Sequence, residues 1–158
     1  MKSTFALLSL FLLLVISSFT KSSKVTPLDG SWELRHFNYG GNEGSNPTPR
    51  NVKVFEEGKF GFYLLYKGGA KKTIDGTFEV LDENSYTETI VQAVNKPMIG
   101  KTYKINYQIK DSLLLMSGTF DSPNGKVNYS ETWVKVNSKI LASVAKKLPD
   151  TIMARKVF

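Results

Sequence analysis

The sequence has no cysteine and a single histidine, His36. The first absence excludes a disulfide framework, a thiolate metal site and thiol catalysis. The second leaves no imidazole cluster to hold a metal. Gly-x-Ser-x-Gly, His-Glu-x-x-His, the calcium loop and the phosphate-binding glycine loop are all missing. The one glycine-rich stretch, Gly40-Gly41-Asn42-Glu43-Gly44, falls between two strand patterns, with no helix N-terminus to meet a phosphate. No metal, no cofactor and no enzymatic activity are expected. Acidic residues are missing from 1–20 and scarce toward the C-terminus. Residues 21–134 carry 14 basic and 13 acidic side chains, whereas 135–158 carry six basic residues against Asp150. The formal net charge of +7 is therefore mostly a property of the last segment. Phosphate binding requires a clustered basic stripe, so a nucleic-acid-binding face is not expected.

What is present begins with an address. Met1-Lys2 precedes the apolar run Phe5–Ile16, broken only by Ser9, and Ser18 and Thr20 flank Phe19 in a small-x-small cleavage pattern. The run is 12 residues long, against the roughly 20 that a membrane-spanning helix needs. Residues 1–20 are expected to be a cleaved export signal. With no lipobox cysteine, the destination is the periplasm or the exterior.

The mature chain alternates apolar and polar residues between turn signals. The expected strands are Ser31–Phe37, Val52–Phe55, Lys59–Tyr66, Thr73–Leu81, Tyr86–Val94, Thr102–Lys110, Leu113–Phe120 and Val127–Val136. Asp82-Glu83-Asn84 and Pro123-Asn124-Gly125 are among the turns between them. Asn38–Arg50 reads as a long loop of thirteen residues. The fold class is all-β, an eight-stranded antiparallel up-and-down barrel over 21–136, because such a meander must close or protect its edges. A short helix from Asn137 or Ser138 through Lys147 opens the segment 137–158, which ends in a basic tail.

Alternation also assigns faces. The rows Tyr103, Ile105, Tyr107, Ile109 and Phe60, Phe62, Leu64, Tyr66 are expected inside, with Trp32, Leu34 and His36 opposite Glu33 and Arg35. Two stretches repeat. Gly76-Thr77-Phe78-Glu79 leads to Tyr86-Thr87-Glu88-Thr89-Ile90, and Gly118-Thr119-Phe120-Asp121 leads to Tyr129-Ser130-Glu131-Thr132-Trp133. Convergent hairpins, a duplication, or a shared role for Glu88 and Glu131 would each account for them.

Gly30-Ser31-Trp32 at the start of the first strand, followed by a long loop and a short-looped meander, resembles the lipocalin and fatty-acid-binding-protein group. Gly76–Val80, Ser85–Ile90, Gly100–Tyr103 and Glu131–Val136 look similar to the small secreted lipocalin-like domains of Bacteroidetes. The resemblance covers about Leu28 to Val136. It implies that Trp32 closes one end of the barrel, with Lys135 from the last strand over its indole.

An eight-stranded barrel is filled by side chains or holds one small ligand. The candidate ligand-binding residues are His36, Phe60, Phe62, Leu64, Tyr86, Glu88, Tyr103, Tyr107, Tyr129 and Glu131, apolar walls with sparse polar anchors. His36 is read either as an anchor or as a structural residue. If Glu88 and Glu131 face inward, each needs a partner, from Arg35, Lys104, His36 or tyrosine hydroxyls; otherwise they form an exposed row. The expected function is an exported barrel binding a small apolar or amphipathic molecule. The alternatives are a protein-binding module acting through 38–50 and the barrel rim, and an acid pair of Glu88 and Glu131. The basic tail is read as a solvated helix face, the alternative being peripheral contact with an anionic membrane surface.

Overall fold

The computed structural model describes residues 25–123 and 125–137. The export signal expected at 1–20 and the helix and tail expected beyond Asn137 lie outside them. Nine strands run in the order β1 (Gly30–Tyr39), β2 (Asn42–Ser45), β3 (Arg50–Glu56), β4 (Lys59–Tyr66), β5 (Gly69–Asp82), β6 (Ser85–Ala93), β7 (Thr102–Lys110), β8 (Leu113–Ser122) and β9 (Gly125–Val136). All pairings are antiparallel between neighbours. β1 also pairs with β9, from Ser31↔Val136 to Tyr39↔Tyr129, which closes a barrel of eight strands. Closure leaves no free edge along the ring.

The expected loop 38–50 is shorter than its composition suggests. Gly40 and Gly41 both have positive φ, 62° and 93°, and make a two-residue hairpin turn. Only residues that tolerate this conformation fit there. β2 then folds back on the outer half of β1, with His36↔Ser45 through Tyr39↔Asn42 in register. The inner half of β1 pairs with β3 instead, Gly30↔Phe55 through Glu33↔Val52. Thus β1 is flanked along most of its length, by β3 near its start and by β2 near its end.

The phase of β1 also departs from simple alternation. Leu34 pairs with Trp133, but His36 pairs with Thr132, so Arg35 is an extra residue that forms a β-bulge. A bulge shifts the alternation by one position. Trp32 and Leu34 point inward before it, and Phe37 and Tyr39 point inward after it. His36 is carried to the outer surface, where Nδ1 lies 3.1 Å from Ser45 Oγ. The expected inner row Trp32, Leu34, His36 therefore breaks at its third member.

The two ends of the barrel differ. At one end lie Leu28 and the β3–β4, β5–β6 and β7–β8 turns. This half is solid: Leu28, Trp32, Leu34, Phe55, Tyr86 and Leu114 are all at most 1% exposed. Phe55 makes edge-on ring contacts with Phe78 and Tyr86, and Tyr86 makes another with Tyr107, at 5.0–5.8 Å between centroids. Trp32 Nε1 donates to the Leu28 carbonyl at 2.8 Å, and Lys135 Nζ stands 5.2 Å from the indole. The cation over the closing tryptophan is in the place that the Gly-x-Trp resemblance implies. Outside the ring, buried Glu33 accepts Arg50 Nε at 2.7 Å and Nη2 at 2.6 Å, with Arg35 Nη2 at 3.2 Å. The hydrogen bonds from Arg50 hold the Glu33 carboxyl below its ordinary pKa, although burial opposes them. Up-and-down order, closure of β1 on β9 and a tryptophan-plugged end make this a lipocalin-like barrel.

Candidate functional site

The opposite end carries the β1–β2, β4–β5, β6–β7 and β8–β9 connections. Here the described residues do not fill the interior. A cavity of about 150 Å³ opens to solvent. Its apolar wall comes from Ile74 on β5, Ile90 on β6, Ile105 on β7, Phe120 on β8 and Met98. Met98 belongs to a 3-10 turn, Lys96–Met98, in the β6–β7 connection. β6 and β7 pair only from Ser85↔Asn106 to Thr89↔Thr102. Past that point the turn bridges the gap through Gly100 N–H to the Ile90 carbonyl and Ile90 N–H to the Lys101 carbonyl.

Polar groups enter the cavity from five strands. Glu88 on β6 is buried, 6% exposed, and its Oε1 accepts Lys53 Nζ at 2.8 Å and the Tyr86 hydroxyl at 2.9 Å. Lys53 on β3 is equally enclosed, with the Phe55, Phe60 and Trp133 rings 5.6–5.8 Å from its ammonium. Glu131 on β9 accepts the Tyr39 hydroxyl at 2.7 Å on Oε1 and the Trp133 indole N–H at 2.9 Å on Oε2. Tyr103 and Tyr129 complete the polar lining. Burial, and then the neighbouring carboxylates, raise the Tyr39, Tyr86 and Tyr129 hydroxyls above the ordinary phenol range. Tyr39 and Tyr86 remain neutral donors, and every hydrogen bond described at the two glutamates has the carboxylate as acceptor.

The repeat noted in the sequence is not a repeat of register. In the β5–β6 hairpin Gly76 faces Ile90 and Phe78 faces Glu88. In the β8–β9 hairpin Gly118 faces Tyr129 and Glu131 faces Met116. Both hairpins still turn their glutamate inward, and both glutamates line one cavity.

The candidate residues separate into groups. Glu88, Tyr103, Tyr129 and Glu131 line the cavity. Phe60, Phe62, Tyr86 and Tyr107 belong to the packed core. Leu64 is half-buried and outside both, and His36 faces away from the interior. The tyrosine hydroxyls serve the glutamates as expected. Among the candidate cations, Arg35 instead bonds Glu33, and His36 and Lys104 are exposed. The cation that does serve, Lys53, escaped the sequence reading because it alternates with apolar Val52 and Val54. The usable signal was Phe55 on the same parity. Tyr39 was hidden by the bulge at Arg35, and Met98 lies outside any strand pattern.

Solved structures similar to this chain include an uncharacterized protein from Bacteroides eggerthii DSM 20697, with 15% identity over 69% of this chain and 99% of that one, TM-score 0.49. Another is a deswapped triple mutant of bovine odorant binding protein, 16% identical, covering 77% of this chain and 84% of that one, TM-score 0.41. A third is As-p18, an extracellular fatty acid binding protein, 14% identical, covering 69% and 96%, TM-score 0.38. No curated protein matches the sequence. Residues 27–147, which include every strand of the barrel, match the family described as Domain of unknown function (DUF4488), and the chain belongs to that family.

Proposed function

We propose that the protein is an exported carrier that takes one small amphipathic molecule into the open half of its barrel. The observation that carries this reading is the cavity itself. One half of the barrel is packed solid and the other keeps about 150 Å³ of space, with apolar walls and a few fixed polar groups. Drug-sized pockets run from about 300 to 1,000 Å³. A cavity near 150 Å³ accommodates a molecule of about benzene size. The expectation of a small ligand is thereby narrowed to a single ring or a short chain, with no room to enclose a long acyl chain. Export rests on the apolar run and cleavage pattern of residues 1–20.

A protein-binding role through 38–50 draws no support from apolar exposure. The large exposed apolar side chains on the open-end connections and strand ends are Tyr66, Val91, Val94 and Ile99, and none described lies in 38–50. The acid-pair reading gains a shared cavity. However, Lys53 is bonded to one carboxylate and both act as acceptors, which suits recognition better than proton donation. Amide NMR of the full chain titrated with 2-phenylethanol tests the carrier reading. Saturable shifts are expected at Ile90, Tyr103 and the Trp133 indole, and Ile74→Trp, which fills the cavity, should abolish them. Identical shifts in that variant, or shifts only at the plugged end, would refute the reading.

A further inference from the structure

The charges inside the cavity do not balance. Three ionisable side chains of ordinary acidic or basic type line it: Lys53, Glu88 and Glu131. Lys53 and Glu88 neutralise each other at 2.8 Å. Among the described residues Glu131 meets only neutral donors, the Tyr39 hydroxyl and the Trp133 indole. A carboxylate drawn into a half-buried apolar site without a counter-charge is costly, so the unpaired one is a place for a cation. Glu88 adds a second acceptor, because both of its described hydrogen bonds converge on Oε1 and no donor among the described residues reaches Oε2.

The rings beside Glu131 point the same way. Tyr39, Phe120 and Tyr129 all line the cavity, with centroids 6.1–6.3 Å apart pairwise and planes inclined by 46–80°. Three inclined rings form walls rather than a stack, and an ammonium group is attracted to such π faces. Aromatic walls next to an unpaired carboxylate are complementary to an ammonium attached to an apolar body. An anionic head would find Lys53 already bonded and Glu131 repelling it.

Resting on the carrier reading, we propose that the ligand class is a small organic amine, its ammonium between Glu131 and the Tyr39, Phe120 and Tyr129 rings and its apolar part against Ile74, Ile90 and Ile105. The test is calorimetry on the full chain with three molecules of one body and different heads: 2-phenylethylamine, 2-phenylethanol and phenylacetate. The amine should bind at least about ten-fold tighter than the alcohol, as a desolvated charge pair with ring contacts allows, and phenylacetate should bind weakest. Glu131→Gln should remove most of the amine's advantage over the alcohol, because the counter-charge for the ammonium is lost. The comparison among heads needs no variant, so it stands even if Glu131→Gln fails to fold. Equal binding of amine and alcohol, or preference for phenylacetate, would overturn the amine assignment alone. Failure of all three to bind would instead bring down the carrier reading.

Discussion

Lys53 holds its ammonium 2.8 Å from Glu88 Oε1 in the middle of the barrel, with a side chain 8% exposed. Burying the pair costs desolvation, and the Coulomb attraction, the Tyr86 hydrogen bond and the surrounding rings repay it. Removing one partner strands the other. Lys53→Met is therefore expected to destabilise the fold by about 3–5 kcal/mol, read from urea unfolding. Adding Glu88→Gln should recover part of that loss, because the stranded charge disappears while Tyr86 keeps an acceptor. A double variant less stable than Lys53→Met would contradict the pairing. Lys53 also shows the limit of reading side chains one at a time. Its neighbours Val52 and Val54 are the apolar ones, so hydropathy turns Lys53 outward. Pairing of Lys53 with Phe62 and of Phe55 with Phe60 places it inside, and Val52 and Val54 join Leu65, Ala70 and Tyr63 in a separate cluster.

At the scale of elements, the glycines that begin the two repeated stretches have different neighbours. A Cβ at Gly76 would collide with the Thr89 carbonyl oxygen, a backbone atom fixed in the β5–β6 ladder, and also meet the Phe60 ring. A Cβ at Gly118 would meet the edge of the Tyr129 ring at 2.9 Å, a side chain that can tilt toward the cavity. Gly76→Ala should thus cost about 2–3 kcal/mol, as forced backbone shifts do, and Gly118→Ala about 1 kcal/mol or less. The milder variant should still weaken binding of 2-phenylethylamine, because Tyr129 moves into the ligand's space. Equal stabilities in chemical denaturation would show that the backbone contact at Gly76 relaxes freely. The bulge at Arg35 works at the same scale. It turns Phe37 and Tyr39 into the barrel, and without it Glu131 would lose its hydroxyl donor.

For the whole molecule, the decisive feature is the division into a plugged half and an open half. It makes the two tryptophans reporters of different places. Trp32 is sealed against Leu28 and Lys135 at the plugged end, whereas Trp133 donates to Glu131 beside the cavity. Fluorescence change on adding 2-phenylethylamine should persist in Trp32→Phe and vanish in Trp133→Phe. A response carried by Trp32 would put the ligand at the wrong end. Trp32→Phe should separately cost about 1 kcal/mol or more for the lost indole bond to the Leu28 carbonyl, visible in thermal unfolding without ligand.

The sequence alone determined the eight strands of the ring, their order and the barrel, although not the short strand β2. Alternation of β-branched and aromatic residues and the turn residues between them are local properties, written in consecutive positions. It also marked Glu88 and Glu131 as a matched pair, put Tyr103 on an inner row and named Tyr129 as a ligand-binding candidate. Other features had no local signature. The bulge at Arg35 arises from how β1 meets β9, not from any turn residue within β1. Lys53 faces inward because of its register with β4, and Met98 reaches the cavity because β6 and β7 part beyond Thr89. Which half of the interior is filled depends on side chains from every strand meeting across the barrel. Alternation says on which side a residue lies, and only closure of the ring decides what it meets there.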